Sequence, residues 1–356
     1  MFRGNESLPW PRWKVEIIQT RCQLRTHGKN KSWKPNSYQK LTYPQLISAT
    51  RIALPAFDPV ELEKLIFALL SVDGKKWLPK NDTFLYIRPT MIGSAAGLGV
   101  MAPREATLFV IVTFMPSLST VGGMRLLASQ NGVRAWPGGF GFAKVGANYG
   151  PSLMATSEAR ARGYDQVLWL LNGKVTEAGA SNFFMVWKTK EGKTQLVTAP
   201  LGDKIILDGV TRRSILQLTR ERLGDELEIV EREFTMEDVV EAVNEGRIVE
   251  AFAAGTAVSF SPSMIKNFVF PGFKLTFGTV LCGTCLSDQL QRCGSCHANG
   301  RGRKWEIHRY HQISKFLPSL SPVQSSENRA NVFQWLVNIM YGKEDHPWGV
   351  VVNERE

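Results

Sequence analysis

The chain has 356 residues, 44% hydrophobic and 21% charged, with 31 Gly and 18 Pro, a mixture that fits one large or two medium globular domains and excludes disordered and collagen-like chains. Its longest apolar stretch, Ala106 to Phe114, is strand-sized and well short of the roughly 18 residues of a membrane span, so a soluble protein is expected. Lys and Arg outnumber Asp and Glu by 43 to 32, but the excess sits in residues 1–50 (nine basic, two acidic) and 282–315 (six and two), which leaves 28 of each sign elsewhere and argues against nucleic acid or an anionic membrane as the partner of the body.

Residues 5–35 mix three Trp with scattered basic residues and show no sustained period. From Asp58 the pattern becomes orderly: Asp58 is an N-cap, Pro59 opens the first turn, Glu61 follows, and apolar residues at 62, 65, 66 and 69 predict a helix. TFLYIRPT (83–90) and TLFVIVTF (107–114) read as strands, and residues 117–133 as a Gly- and Ser-containing loop. Five glycines then crowd GGFGFAKVGANYG (138–150), followed by a helix near 151–162 and a hairpin of VLWLLNG (167–173) with KVTEAGASNFFMVWK (174–188). TRRSILQLTRERLG (211–224) and TMEDVVEAV (235–243) predict helices, IVEAFAAGTAVSF (248–260) a strand, and apolar residues at 332, 333, 335, 336, 339 and 340 a last helix. Residues 281–326 are rich in Cys, Gly, Arg and Ser and again lack a period.

Four of the five cysteines form CGTC and CGSC: Cys282, Cys285, Cys293 and Cys296, with His297, His308 and His311 close behind. Two CxxC pairs are a zinc pattern and offer an alternative reading as a basic, zinc-dependent nucleic-acid binder. The intervening loop is short for a zinc ribbon, so no metal is expected. Residues 5–35 and 281–326 instead read as translated non-coding sequence or relaxed insertions. The clustered cysteines point to a reducing compartment rather than a secreted disulfide scaffold.

Lys144 is the only charged side chain between Arg134 and Glu158 and lies among glycines that let a ligand approach the backbone. Val145 follows it and the Gly spacing is wrong, so it is not a P-loop lysine. A lysine set in a pocket of small and aromatic residues loses its proton more cheaply than one in water, as a Schiff-base amine must. Taken singly it also reads as an ordinary surface cation. Glu177, in TEAGASN, could pair with a protonated ring nitrogen of the kind pyridoxal phosphate carries, or be a solvated turn residue. Gly209–Thr211 at a helix start, Gly255–Thr256 at a strand end and Arg88 after a strand are candidate phosphate anchors, each bland alone.

In order, LYIRPT, RAWPGGFGFAKVGANYG, TEAGASNFF, ILDGVTRRSIL and AGTA resemble the branched-chain amino acid aminotransferases of pyridoxal phosphate fold type IV. The resemblance covers roughly residues 40–260 and returns in FQWLVNIMYGKEDHPWGVVV (333–352). It implies an α/β (α+β) fold: a small domain over 1–120 with an incomplete or atypical N-terminal part, an interdomain loop over 121–137, and a large cofactor-binding domain over 138–356 carrying an atypical insertion at 281–326. It also implies a homodimer, in cytoplasm or mitochondrion, that transaminates Leu, Ile and Val with 2-oxoglutarate. By the same resemblance Lys144 would be the Schiff-base lysine, Tyr149 would bond the cofactor's phenolic oxygen and Glu177 its pyridine nitrogen. Arg88, Thr256 and the backbone of Val210 and Thr211 would hold the phosphate, Arg134 would support it, and Ala180 and Ala257 would border the substrate.

The departures from that family are specific. MFRG at the start is similar to an internal segment of the family, Ala180 stands where relatives commonly carry Thr, and Val258 and Ser261 replace the animal enzymes' CxxC. They raise a third reading, a catalytically impaired relative.

Overall fold

In a computed structural model, the described residues are 39–77, 83–116, 124–129, 132–255, 265–270, 273–276 and, near the C-terminus, 332, 334–336, 338, 339 and 344–348. The aperiodic segments 5–35 and 281–326, with the four clustered cysteines, lie outside them. So do Thr256 and Ala257.

Helices α1 (Gln39–Arg51) and α2 (Pro59–Trp77) precede a long antiparallel ribbon, β1 (Thr83–Gly93) with β2 (Ala106–Pro116), paired from Thr83↔Pro116 to Gly93↔Ala106. Asp58 caps α2 as expected, its Oδ1 accepting the Val60 N–H at 2.8 Å. The apolar stripe of α2 explains its place: Leu62, Ile66 and Leu70 are buried with Ile87, Leu108 and Val110 of the ribbon. Helix α1 has no such stripe. Its buried face includes Thr42 and Ser48, and Pro44 lies inside it.

Among the described residues, the rest builds one mixed sheet of nine strands. In spatial order these are β11 (Phe273–Thr276), β10 (Ile265–Phe270), β3 (Met124–Ala128), β4 (Gln166–Leu171), β5 (Lys174–Ala178), β6 (Ser181–Lys188), β7 (Thr194–Thr198) and β8 (Glu228–Glu231), with β9 (Ile248–Ala254) also pairing β6. Two differences from expectation matter for the site. Within the stretch expected as interdomain loop, Met124–Ala128 is a strand parallel to both β4 and β10; its buried Met124, Leu126 and Leu127 span too few residues to show a period. The single strand expected over 174–188 is two, β5 and β6, because Gly179 takes φ +57° and folds the chain back on itself with Ala178 opposite Ser181.

Strand β6 is buried on both faces, which accounts for its unbroken SNFFMVW run. Phe183, Met185 and Trp187 pack with Phe234, Met236 and Val239 on one side, the last two belonging to α5 (Met236–Asn244), which a Thr235/Asp238 capping box starts. Phe184 and Val186 face Ile215 and Leu216 of α4 (Val210–Leu223), together with Val332, Leu336 and Ile339. With helix α3 (Ser152–Ala161) beside β4, helices cover the sheet, and its β5–β6 end carries Glu177 and Asn182. Among the described residues no helix is long and apolar enough to cross a membrane.

Candidate functional site

The glycine-rich stretch forms a loop held by backbone carbonyls. Arg134 is buried and donates to the Ile205 carbonyl at 3.2 Å and the Gly141 carbonyl at 3.4 Å. Gly141 must be glycine, since a Cβ there would stand 2.1 Å from the Ile205 carbonyl oxygen. Asn148 donates inward to the carbonyls of Phe140 (2.9 Å) and Ala143 (2.6 Å). Helix α1 fastens the outside: the Lys144 N–H donates to Ser48 Oγ at 2.8 Å, and Arg51 donates to the Gly138 and Gly139 carbonyls at 2.8 and 3.1 Å while lying 4.4 Å from the Phe140 ring centroid. Lys144 is thus fixed at its backbone and free at its exposed amine, with Nζ 5.1 Å from the ring centroid of half-buried Tyr149. Gly141→Ala is expected to cost about 1–3 kcal/mol, the range for overpacked interiors, because the obstructing atom is backbone. Urea denaturation measures it, and a loss below about 0.5 kcal/mol, the scatter of ordinary surface changes, would mean that the two loops are not tightly docked.

Glu177 is 2% exposed, so the solvated-turn alternative is overturned. It lies in β5 directly opposite Asn182 in β6. Its Oε1 accepts from Asn182 Nδ2 at 3.0 Å and from the Leu207 N–H at 3.1 Å. Its Oε2 is 2.7 Å from Arg134 Nη1, yet the donor is off line and, among the described residues, Oε2 receives no aligned hydrogen bond. Burial pushes the carboxyl up from the ordinary 4.5, while Arg134, the Leu207 N–H, Lys144 and Arg212 pull it down without cancelling the rise. One carboxylate oxygen is therefore saturated, and the other is buried and short of a donor.

Beside it α4 begins at Gly209, which has extended backbone and no side-chain cap. The first N–H groups of a helix have no carbonyl within it, and its dipole attracts anions. A Cβ on Gly209 would meet Asn182 Oδ1 at 2.3 Å. The helix is anchored by buried Arg212, which donates to the Ala199 carbonyl at 2.9 Å and to Glu231 at 2.7 Å. At the end of β9, a Cβ on Gly255 would lie 2.8 Å from Ser181 Oγ and 3.5 Å from the Ala180 carbonyl, so β9 ends against the β5–β6 turn, where exposed Ala180 sits.

Glu231 gives a pH signature. Burial raises its carboxyl, but hydrogen bonds from Arg220 (2.6 Å) and Arg212 (2.7 Å) outweigh that and hold it below the usual 4.5. A carboxyl lowered on folding adds stability above its unfolded value and loses it as pH falls through the lower folded value. Glu231→Gln is therefore expected to flatten the acid limb of a Tm-against-pH curve below about pH 4.5; an unchanged limb would clear Glu231 of that role.

These elements bring Lys144, Tyr149, Arg134, Glu177 and the start of α4 to one end of the sheet. Arg88 is not joined to them by any hydrogen bond among the described residues. It is exposed on β1, donates to the Tyr86 hydroxyl at 3.0 Å and lies over that ring. Arg134, expected in a role supporting the phosphate, is engaged by Glu177 and by the Gly141 and Ile205 carbonyls. Sequence reasoning missed Asn182, Asn148, Ser48 and Arg51. Only Asn182 had a signal: reading Gly179–Ala180 as a two-residue turn sets residue 182 opposite 177.

A family description, amino-transferase class IV, matches residues 46–262, more than half of the chain. The chain belongs to the class IV aminotransferases. It is 36% identical over 312 residues to the mitochondrial branched-chain-amino-acid aminotransferase of Schizosaccharomyces pombe, covering 86% of this chain and 63% of that one. To the cytosolic enzyme of the same name from Saccharomyces cerevisiae it is 40% identical over 315 residues, covering 86% and 72%. The crystal structure of branched-chain amino acid aminotransferase from Thermobaculum terrenum in its PLP form superposes with a TM-score of 0.50 at 25% identity, covering 65% of this chain and 70% of that one. The fold is the fold type IV expected for a class IV aminotransferase, and the chain spans about two thirds of the length of these curated relatives, which come from both cytosol and mitochondrion. The nucleic-acid reading finds no support among them.

Proposed function

We propose that this class IV aminotransferase moves the amino group of Leu, Ile or Val to 2-oxoglutarate with pyridoxal 5'-phosphate held at Lys144. The observation that carries the reading is Glu177 Oε2, buried and, among the described residues, lacking an aligned donor, because a pyridinium N–H needs that acceptor. Burial that raises the carboxyl's proton affinity makes it the stronger acceptor. When bound, the coenzyme supplies an electron sink for the carbanion formed at the amino acid's α carbon.

The residues divide the remaining work. Lys144, fixed at its backbone and mobile at its amine, holds the coenzyme's carbonyl end and then carries the proton as general base and acid. Tyr149, whose ring lies beside that amine, supports the phenolic side. The α4 terminus at Val210 and Thr211 takes the phosphate, with Arg88 and Thr256 added on the strength of the family resemblance. Arg134 acts on Glu177 rather than on the phosphate. Ala180 and Ala257 are assigned to the substrate's border on the strength of the family resemblance. In domain terms, the reading takes α1, α2, β1 and β2 as the small unit and starts the large one near residue 124, which the pairing of β3 with β4 and β10 supports.

The homodimer is part of the same reading. Leu98 and Val100, in the loop between β1 and β2, are 99% and 107% exposed, and Met101 is 76% exposed, an apolar tip that a second copy would cover. The test is direct: purified chain mixed with pyridoxal phosphate should gain a visible absorption band that borohydride removes, and should then form glutamate from leucine and 2-oxoglutarate. No band and no glutamate at saturating coenzyme would overturn the reading.

A further inference from the structure

Asn182 lies where two ends of the site meet. It is buried, sits opposite Glu177 across the β5–β6 pair, and spends both amide protons: one on Glu177 Oε1 at 3.0 Å, the other on the Leu207 carbonyl at 2.8 Å. Those two acceptors fix the amide's orientation, since the flipped form would set its oxygen against a carboxylate and a carbonyl. Leu207 closes the figure by donating its own N–H to Glu177 Oε1 at 3.1 Å. Its carbonyl also accepts the Gly209 N–H at 2.9 Å, and Gly209 is the cap of α4. On the amide's far side, Oδ1 faces Gly209 so closely that no Cβ fits.

We infer that Asn182 is a positioning residue that sets the spacing between the carboxylate serving the coenzyme's ring nitrogen and the helix terminus serving its phosphate. The inference rests on the function proposed above. Glu177 cannot shift relative to α4 without breaking a hydrogen bond to Asn182 or Leu207. A ligand anchored at both ends gains from the second anchor only when the separation is already correct. Asn182 thereby governs how much the phosphate contributes to binding, while touching neither phosphate nor ring.

The experiment compares pyridoxal phosphate with pyridoxal, which has the same ring and no phosphate, by equilibrium binding to the full chain. In Asn182→Ala the dissociation constant for pyridoxal phosphate should rise about tenfold more than that for pyridoxal, a partial loss of the roughly 10²–10⁴-fold gain a correctly spaced second anchor gives. Gly209→Ala should do the same by forcing Oδ1 away. Added to Asn182→Ala it should do little, because the obstructing atom is gone, so the pair is non-additive. If Asn182→Ala does not fold, Gly209→Ala reads the same ratio. Equal weakening of both ligands, or additive effects, overturns the inference. Wild type that binds neither ligand overturns the parent function as well, whereas wild-type binding with an unchanged ratio in Asn182→Ala overturns this step alone.

Discussion

Lys144→Ala is expected to bind no coenzyme that borohydride can fix to the chain and to turn over at least about a thousandfold more slowly, within the range for loss of a positioned acid–base group. The loss should be chemical and not structural. The side chain is exposed, while the loop that carries it is pinned at Gly138, Gly139, Gly141 and the 144 amide by Arg51, Arg134 and Ser48, none of which the substitution touches. Stability should stay within about 0.5 kcal/mol of wild type, as for ordinary surface changes. Lys144→Arg should not rescue, because a guanidinium keeps its proton at any working pH. Steady-state transamination and urea denaturation of both variants decide the matter; near wild-type turnover in Lys144→Ala would remove the lysine from the chemistry.

The largest expected stability effect belongs to Arg134→Ala, at about 3–5 kcal/mol, the cost of leaving one member of a buried ion pair alone. Both side chains are almost wholly buried, 7% and 3% exposed, and 2.7 Å apart. The truncation also takes donors from the Gly141 and Ile205 carbonyls, so two loops loosen together. Adding Glu177→Gln should recover part of the loss, since the stranded charge is then gone; the remainder measures the carbonyl contacts. Denaturant midpoints of the single and double variants test this, and a loss under about 1 kcal/mol, the ceiling for surface pairs, would show that the pair behaves as if solvent-exposed.

What the sequence made legible follows from where the signal is local. Helices α2 and α5 announce themselves through caps and apolar spacing, α4 through its apolar spacing, and the Asn172–Gly173 turn between β4 and β5 needs only its two residues at positive φ. Helix α1 was invisible because its inner face is partly polar: Ser48 is buried in order to accept from the Lys144 amide, a partner 96 positions away. Strand β3 is five residues long, and its neighbours β4 and β10 lie far along the chain. Arg134 and Glu177 were each found, but not as a pair, since nothing at either position records the other. The order of motifs named the residues of the candidate site, while its hydrogen bonds depend on contacts between distant segments that periodicity does not encode.

The fastening of α1 to the glycine-rich loop bears on how the protein acquires its site. The Ser48–Lys144 and Arg51–Gly138 contacts can close only after the intervening helix, ribbon and third strand have been laid down, and contacts of such long sequence separation are slow to form. Maturation of the amine's surroundings should accordingly trail the local pairing of β4 with β5, β5 with β6 and β6 with β7. A fragment starting after residue 51 would retain lysine, tyrosine and glutamate alike, yet lack the hydroxyl and guanidinium that give the lysine a fixed address.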